Sequence, residues 1–286
     1  MVVLERLNNN NADIFDSLLQ DSKKVIKYQQ DFYRYYMHRG SVHRFFIKKA
    51  IRLLKYKDDY IGYIWLDTIG GKSQRINDIY IVPEHLELVN PTTMNLLKSN
   101  VLIYEGYENE YIIYLAKRLD MKLFKATRLM KINNKMLRND EDYNISYKVY
   151  DKITDRKIRC YIQNEVFSNK DRVPLTVNDI EFDEGQEYYI QDYCIFIKYN
   201  NAIIGYGQIV FNRGQYFIVN LGIIKSYRGF GYGKLLLNRL LNLANKDGIK
   251  DVYIRVENDN KLAAKLYEET GFEDVGKISN WVWHRI

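Results

Sequence analysis

The segment Arg228-Gly229-Phe230-Gly231-Tyr232-Gly233 limits the architecture more than any other part of the chain. Its three alternating glycines lie between an apolar run, YFIVNLGII (216–224), and a leucine-rich stretch, LLLNRLLNLA (235–244). Glycine lets a backbone turn through positive φ and lets a ligand approach the main chain. A helix starting directly after such a turn presents unpaired N–H groups and the positive end of its dipole, which suit a phosphate or pyrophosphate. Spacing excludes two kinds of cradle. A P-loop needs glycine at 228 and Ser or Thr at 235, where Arg228 and Leu235 stand. The dinucleotide fingerprint needs glycine at 234, which is Lys234. A third pattern fits in full: Gln or Arg, two residues, Gly, one residue, then Gly or Ala.

The flanking sequence predicts an ordered α/β succession after a polar stretch, LRNDEDYN (137–144), that reads as a linker. Residues 145–151 read as a strand. Residues 154–167 read as a helix with Ile158, Ile162 and Val166 on one stripe. A second, acidic helix is expected within 177–189. A hairpin over 194–211 turns at Asn200-Asn201, residues that tolerate positive φ. The strand 216–224 enters the glycine segment, and a helix follows to Gly248, a C-terminal cap glycine. Then come a strand at 251–257, a helix from Asn260 to Gly271, and two short strands, 272–276 and 280–286. A second motif falls on that last helix: Asn260, Ala263, Leu266, Tyr267, Gly271 and Phe272, spaced N-x-x-A-x-x-L-Y-x-x-x-G-F.

Two independent patterns, in this order on these elements, resemble the GNAT acetyltransferase superfamily over residues 145–286. The resemblance implies an α/β (α+β) fold and acetyl-CoA as cosubstrate, with no metal. It implies that the pyrophosphate lies on the N–H groups of Gly229, Phe230, Gly231, Tyr232, Gly233 and Lys234, with Arg228 adding charge beside them. The pantetheine arm would pair with the main chain at Leu221 and Ile223, and Gly222 between them is expected to allow a bulge. Tyr267 takes the place of the family's general acid. Asn260 has a structural part as helix cap and, in the family, a place near the coenzyme. No general base is visible, because the strand 216–224 carries no acid and Gln208 and Asn220 cannot accept a proton usefully. The activity implied is acetyl transfer to a primary amine whose identity the sequence does not give. Two other readings stand beside it: a Fem-type aminoacyltransferase, against which the intact glycine segment argues, and a coenzyme A-binding regulator without catalysis.

The first half repeats the pattern in worn form. INDIYIVPEHL (76–86) aligns with IVNLGIIKSYR (218–228) at an offset of 142, and residues 101–124 align with 252–275 at an offset of 151. The glycine segment has become LELVNP (86–91), and Ala116 stands for Tyr267. Residues 1–139 are therefore expected to form a degenerate GNAT-like lobe without the pyrophosphate loop, and residues 145–286 the acetyltransferase lobe. Each lobe should be a mixed, largely antiparallel sheet flanked by helices.

Charge separates the halves. The net charge of +7 lies in the first, where residues 1–139 hold 23 Lys and Arg against 15 Asp and Glu. The stretch 34–57, RYYMHRGSVHRFFIKKAIRLLKYK, carries eight basic residues among aromatics and no acid. A solvated helix face is the plain reading of it, and a nucleic-acid contact is the alternative. Conversely, residues 176–192 carry six acids and no base, which suggests a cleft wall that attracts a cationic amine. The sequence offers no apolar run long enough for a membrane span and no leader-like N-terminus, so a cytoplasmic protein with two reduced cysteines, Cys160 and Cys194, is expected.

Overall fold

A computed structural model describes residues 1–27, 29–37, 41–134, 144–168 and 172–285. The chain forms two compact units, one of Met1–Thr127 with Gly276–Ile286, the other of Arg128–Val275. Most of the linker expected at 137–144 lies outside the described residues.

In chain order, the elements up to the linker are β1 (Val2–Arg6), α1 (Ala12–Val25), α2 (Phe32–Met37), α3 (Ser41–Ala50), β2 (Ile51–Tyr56), β3 (Asp59–Gly70), β4 (Ser73–Ile81), α4 (Pro91–Asn95), β5 (Val101–Tyr107), α5 (Glu110–Arg118) and β6 (Lys122–Asn133). After it come β7 (Ile145–Val149), α6 (Arg156–Phe167), α7 (Val177–Glu184), β8 (Cys194–Tyr199), β9 (Ala202–Asn212), β10 (Gln215–Ile223), α8 (Tyr232–Lys246), β11 (Asp251–Glu257), α9 (Lys261–Thr270) and β12 (Glu273–His284). The acidic helix is shorter than its pattern suggested: it stops at Gly185, whose N–H closes back onto the carbonyls of Glu181 and Phe182.

The two units share one strand order. In the first, the order is β1-β2-β3-β4-β5-β12; in the second, it is β7-β8-β9-β10-β11-β6. The central pairs β4–β5 and β10–β11 are parallel, and their neighbours are antiparallel. The sixth strand in each of these orders comes from the other half of the chain. β12 pairs with β5 from Ile278↔Tyr107 to His284↔Val101, and it brings Trp281 and Trp283 into the first core. β6 lies beside β11, and beyond its end Asn134 is locked in the second unit by hydrogen bonds to Leu241, Ile249 and Lys250. The division therefore differs from the sequence boundaries of 1–139 and 145–286. Alternating apolar residues mark a strand, but they do not name its partner.

β12 is also one strand where the sequence suggested two. It passes through Gly276 at φ +138, where a Cβ would stand 2.4 Å from the Tyr107 hydroxyl. Glycine is the residue that admits both the backbone angle and the tyrosine.

The internal repeat holds in three dimensions with one adjustment. β4 and β10 correspond at an offset of 142, as aligned, but the pairings Leu102↔Gln74 and Val252↔Tyr216 set β5 and β11 at 150. The capping asparagines Asn109 and Asn260 restore 151, so the turn before α9 holds one more residue than the turn before α5.

Candidate active site

The glycine segment sits where the sequence placed it, at the start of α8. This helix forms because Leu236, Leu237, Leu240, Leu241 and Ala244 line one face and are fully buried against the sheet. Its N-cap is Gly231, at φ +84, and no side chain caps it. Gly229 is also left-handed, at φ +87. A Cβ built on either would meet nothing within 4 Å, so backbone angle, not crowding, demands glycine there, and the space in front is open. Gly233 differs: it lies in the first turn, and its Cβ would make ordinary contacts with Leu266 at 3.7 Å and Ile223 at 3.9 Å. The sequence pattern accordingly demands glycine at 231 and admits alanine at 233.

Beside the cradle, β10 parts from β11. Parallel pairing runs from Tyr216↔Val252 to Ile218↔Ile254 and ends, although both strands continue. On its other edge β10 shifts register against β9 between Val219 and Gly222, with Asn220 at φ +55. The bulge expected near Leu221 is present, but its left-handed residue is Asn220, not Gly222. Gly222 serves another purpose: a Cβ there would fall 2.1 Å from Val166, so the glycine lets α6 lie close on the strand.

Arg228 reaches back into the structure. Its Nε donates to the Ile223 carbonyl at 2.8 Å and its Nη2 to the Val166 carbonyl at 2.7 Å. It ties the loop to β10 and to the end of α6, a bracing part that the sequence did not reveal. Phe230 is 71% exposed, while Tyr232 packs beside Tyr199 at 5.6 Å. Lys234 stands in the first turn of α8, its N–H donating to the Gly231 carbonyl.

Tyr267 projects from α9 into the same apolar cluster as Ile223, Leu236 and Leu266, and is 7% exposed. Desolvation pushes its phenol up to about 12, and its hydroxyl has no hydrogen-bond partner among the described residues. It is therefore a protonated donor throughout the neutral range. Asn260 caps α9, its Oδ1 accepting from the Ala263 N–H at 3.2 Å. The structure thus brings the glycine loop, the parted strand and the helix of Tyr267 together in one unit.

The acidic stretch does not form an open anionic wall. Asp179 closes a capping box with Thr176. Glu181 pairs with Arg156 at 3.1 Å, and Glu184 is held by Arg156 at 2.7 Å and by the Tyr150 hydroxyl. Asp183 pairs with Arg159 and accepts from the Tyr188 hydroxyl at 2.7 Å. Arg159 is 1% exposed and sits among the rings of Tyr150, Tyr189 and Tyr206, at 5.0–5.7 Å. The sequence missed these pairings because the arginines lie on α6, more than twenty residues away.

The equivalent places in the first unit are filled by its own side chains. Asn90 and Thr93 form a capping box at the start of α4, where α8 has none. Where β4 leaves β5, the Tyr111 hydroxyl accepts from the Ile81 N–H and donates to the Ile81 carbonyl, both at 2.8 Å. Ile81 corresponds to Ile223.

A cradle of this form, beside two parallel strands that part, is built to hold an anion such as a phosphate or pyrophosphate. The family model for the acetyltransferase (GNAT) family matches residues 160–272. The chain is 31% identical over 111 residues, 38% of its length, to a ribosomal-protein alanine N-acetyltransferase of Haemophilus influenzae, and covers 71% of that protein. It is 35% identical over 71 residues, 24% of its length, to N-alpha-acetyltransferase 50 of Danio rerio, of which it covers 42%. The chain belongs to the GNAT acetyltransferase family. Likeness of fold extends over both units: a GCN5-related N-acetyltransferase from Sphaerobacter thermophilus aligns over 99% of this chain and 95% of its own, with a TM-score of 0.70 at 12% identity. A tandem GNAT protein from the clavulanic acid biosynthesis pathway aligns over 99% and 98%, with a TM-score of 0.66 at 10% identity. No described helix is long and apolar enough to cross a membrane.

Proposed function

We propose that the second unit binds one acetyl-CoA and transfers its acetyl group to a primary amine, and that the first unit binds none. The observation that carries this is the pair of left-handed glycines, Gly229 and Gly231, in open space before the uncapped N-terminus of α8. Bound acetyl-CoA supplies the activated acetyl thioester. The main-chain N–H groups of residues 229–234 hold the pyrophosphate with the help of the helix dipole. Arg228 keeps the loop in place rather than acting through charge alone. On the side where β10 has left β11, its stretch including Leu221, Gly222 and Ile223 receives the peptide-like pantetheine arm as a sheet edge receives a strand. Tyr267 Oη gives its proton to the leaving sulfur; a phenol near 12 stays protonated until it is needed. Asn260 fixes the start of α9 and so the register of Tyr267.

In the first unit the Asn90 box and the Tyr111 hydroxyl take up the groups that a coenzyme would use. The named relatives make polypeptide N-termini the first acceptors to assay. Titration calorimetry of the full chain with acetyl-CoA should give one site per chain, and thiol release should follow addition of a peptide with a free N-terminal amine. A stoichiometry of two, or loss of binding on altering Tyr111 but not Gly231, would refute the assignment of units.

A further inference from the structure

We propose that the first unit carries a docking surface for a single-stranded polynucleotide, centred on Arg6, Lys48 and Arg52 at the junction of β1, β2 and the end of α3. The inference stands apart from the acetyl-transfer site. Its first ground is a pairing that a fold would otherwise avoid. β1 and β2 run antiparallel with Arg6 directly opposite Arg52, and like charges so placed repel. Arg52 is partly desolvated there, and the neighbouring Arg6 adds to what lowers its pKa. Among the described residues, no carboxylate pairs with Arg6, Lys48 or Arg52. The one acid beside Arg6 in sequence, Glu5, is taken up by Tyr60 at 2.8 Å and Asn11 at 2.8 Å. A repulsive arrangement kept without a counter-charge is what a bound anion relieves.

The second ground is aromatic. The Arg52 guanidinium donates to the Lys49 carbonyl, which fixes it at the end of α3, next to Lys48. Lys48 and Arg44 both lie over the ring of Tyr36, at 5.9 and 5.5 Å. Phe46, on the same helix, is 61% exposed. Cations spaced along a surface beside an exposed ring match a strand whose phosphates and unstacked bases alternate. A lipid surface fits less well. Ile47 of α3 is buried against the unit's own core, which leaves the helix no broad apolar face to insert. The charge balance agrees, since the whole basic surplus of the protein belongs to residues 1–139.

The test uses the full chain and a fluorescent twelve-nucleotide oligouridine, read by anisotropy. Three phosphate contacts predict a slope of log K against log salt of about −2, which is a loss of roughly 20-fold between 50 and 200 mM. Arg6→Ala and Lys48→Ala should each reduce the slope by about 0.7, and Phe46→Ala should weaken binding about tenfold without changing the slope. None of the three touches the glycine loop, so acetyl-CoA affinity should stay as in the unaltered chain and serves as the check on folding. Absence of binding at 50 mM salt, slopes unchanged in both charge variants, or equal affinity for a duplex overturns the proposal. So does tighter binding to phosphatidylserine vesicles than to the oligonucleotide.

Discussion

Replacing Gly231 by alanine isolates the backbone requirement of the cradle. At φ +84 an L-residue lies in the left-handed region, which costs about 1–2 kcal/mol. No steric term adds to this, because the new Cβ meets nothing within 4 Å. The reduced freedom of the unfolded chain offsets part of the cost, so a net loss of about 1 kcal/mol remains, or roughly 2–4 °C in Tm for a unit of this size. If the loop relieves the strain by turning over, its N–H groups turn away from the anion, and acetyl-CoA affinity should fall at least about tenfold, or 1.4 kcal/mol. Gly233→Ala is the matched control. That position is helical and its Cβ would find ordinary contacts, so alanine should gain about 1 kcal/mol and leave affinity unchanged. Scanning calorimetry of the ligand-free variants and titration with acetyl-CoA separate the two effects. A Gly231→Ala variant that keeps its Tm and binds within twofold of the original would refute the reasoning, as would a Gly233→Ala variant that behaves like it.

Tyr267→Phe should lower kcat by about 10²–10⁴-fold with acetyl-CoA affinity preserved, because the lost proton matters only as the thiolate leaves; unchanged turnover with chemistry rate-limiting would return Tyr267 to packing. The same variant bears on alkaline stability. Burial raises the folded pKa of Tyr267 from 10.0 to about 12, so its contribution is full below pH 10 and is lost as pH rises through 12; Tyr267→Phe should show a shallower loss of stability across that window in denaturant titrations. Tyr111→Phe removes both bonds to Ile81 and should cost about 1–3 kcal/mol of stability in the first unit, with the acetyl-CoA stoichiometry still one by calorimetry.

What the sequence disclosed was local. The glycine loop, the cap at Asn260 and the register of Tyr267 are written in residues a few positions apart, and the order of elements follows from periodicity and turn residues. What it withheld depends on distant partners. Arg228 resembles a surface cation until the carbonyls of Ile223 and Val166 are seen around it. The carboxylates of α7 looked free because Arg156 and Arg159 lie on another helix. In the sequence Gly222 reads as the bulge residue, whereas the close approach of Val166 is what calls for glycine there. The worn loop of the first half shows the missing glycines, but not that the Tyr111 hydroxyl bonds both backbone groups of Ile81 there.

The exchange of sixth strands reverses the usual order in which a two-lobed chain matures during synthesis. Domains generally fold as units with the N-terminal one first. Here the early lobe emerges with five strands and waits for residues 278–284, made after the whole of the second unit, before β5 gains its neighbour and the core receives Trp281 and Trp283. The later lobe, Arg128–Val275, is continuous and is complete sooner. Until residues 278–284 emerge, the nascent chain carries an open β5 edge on its oldest part, a template for wrong pairing. A chain cut short before residue 278 would keep the glycine loop and Tyr267 while leaving the first core without its two tryptophans.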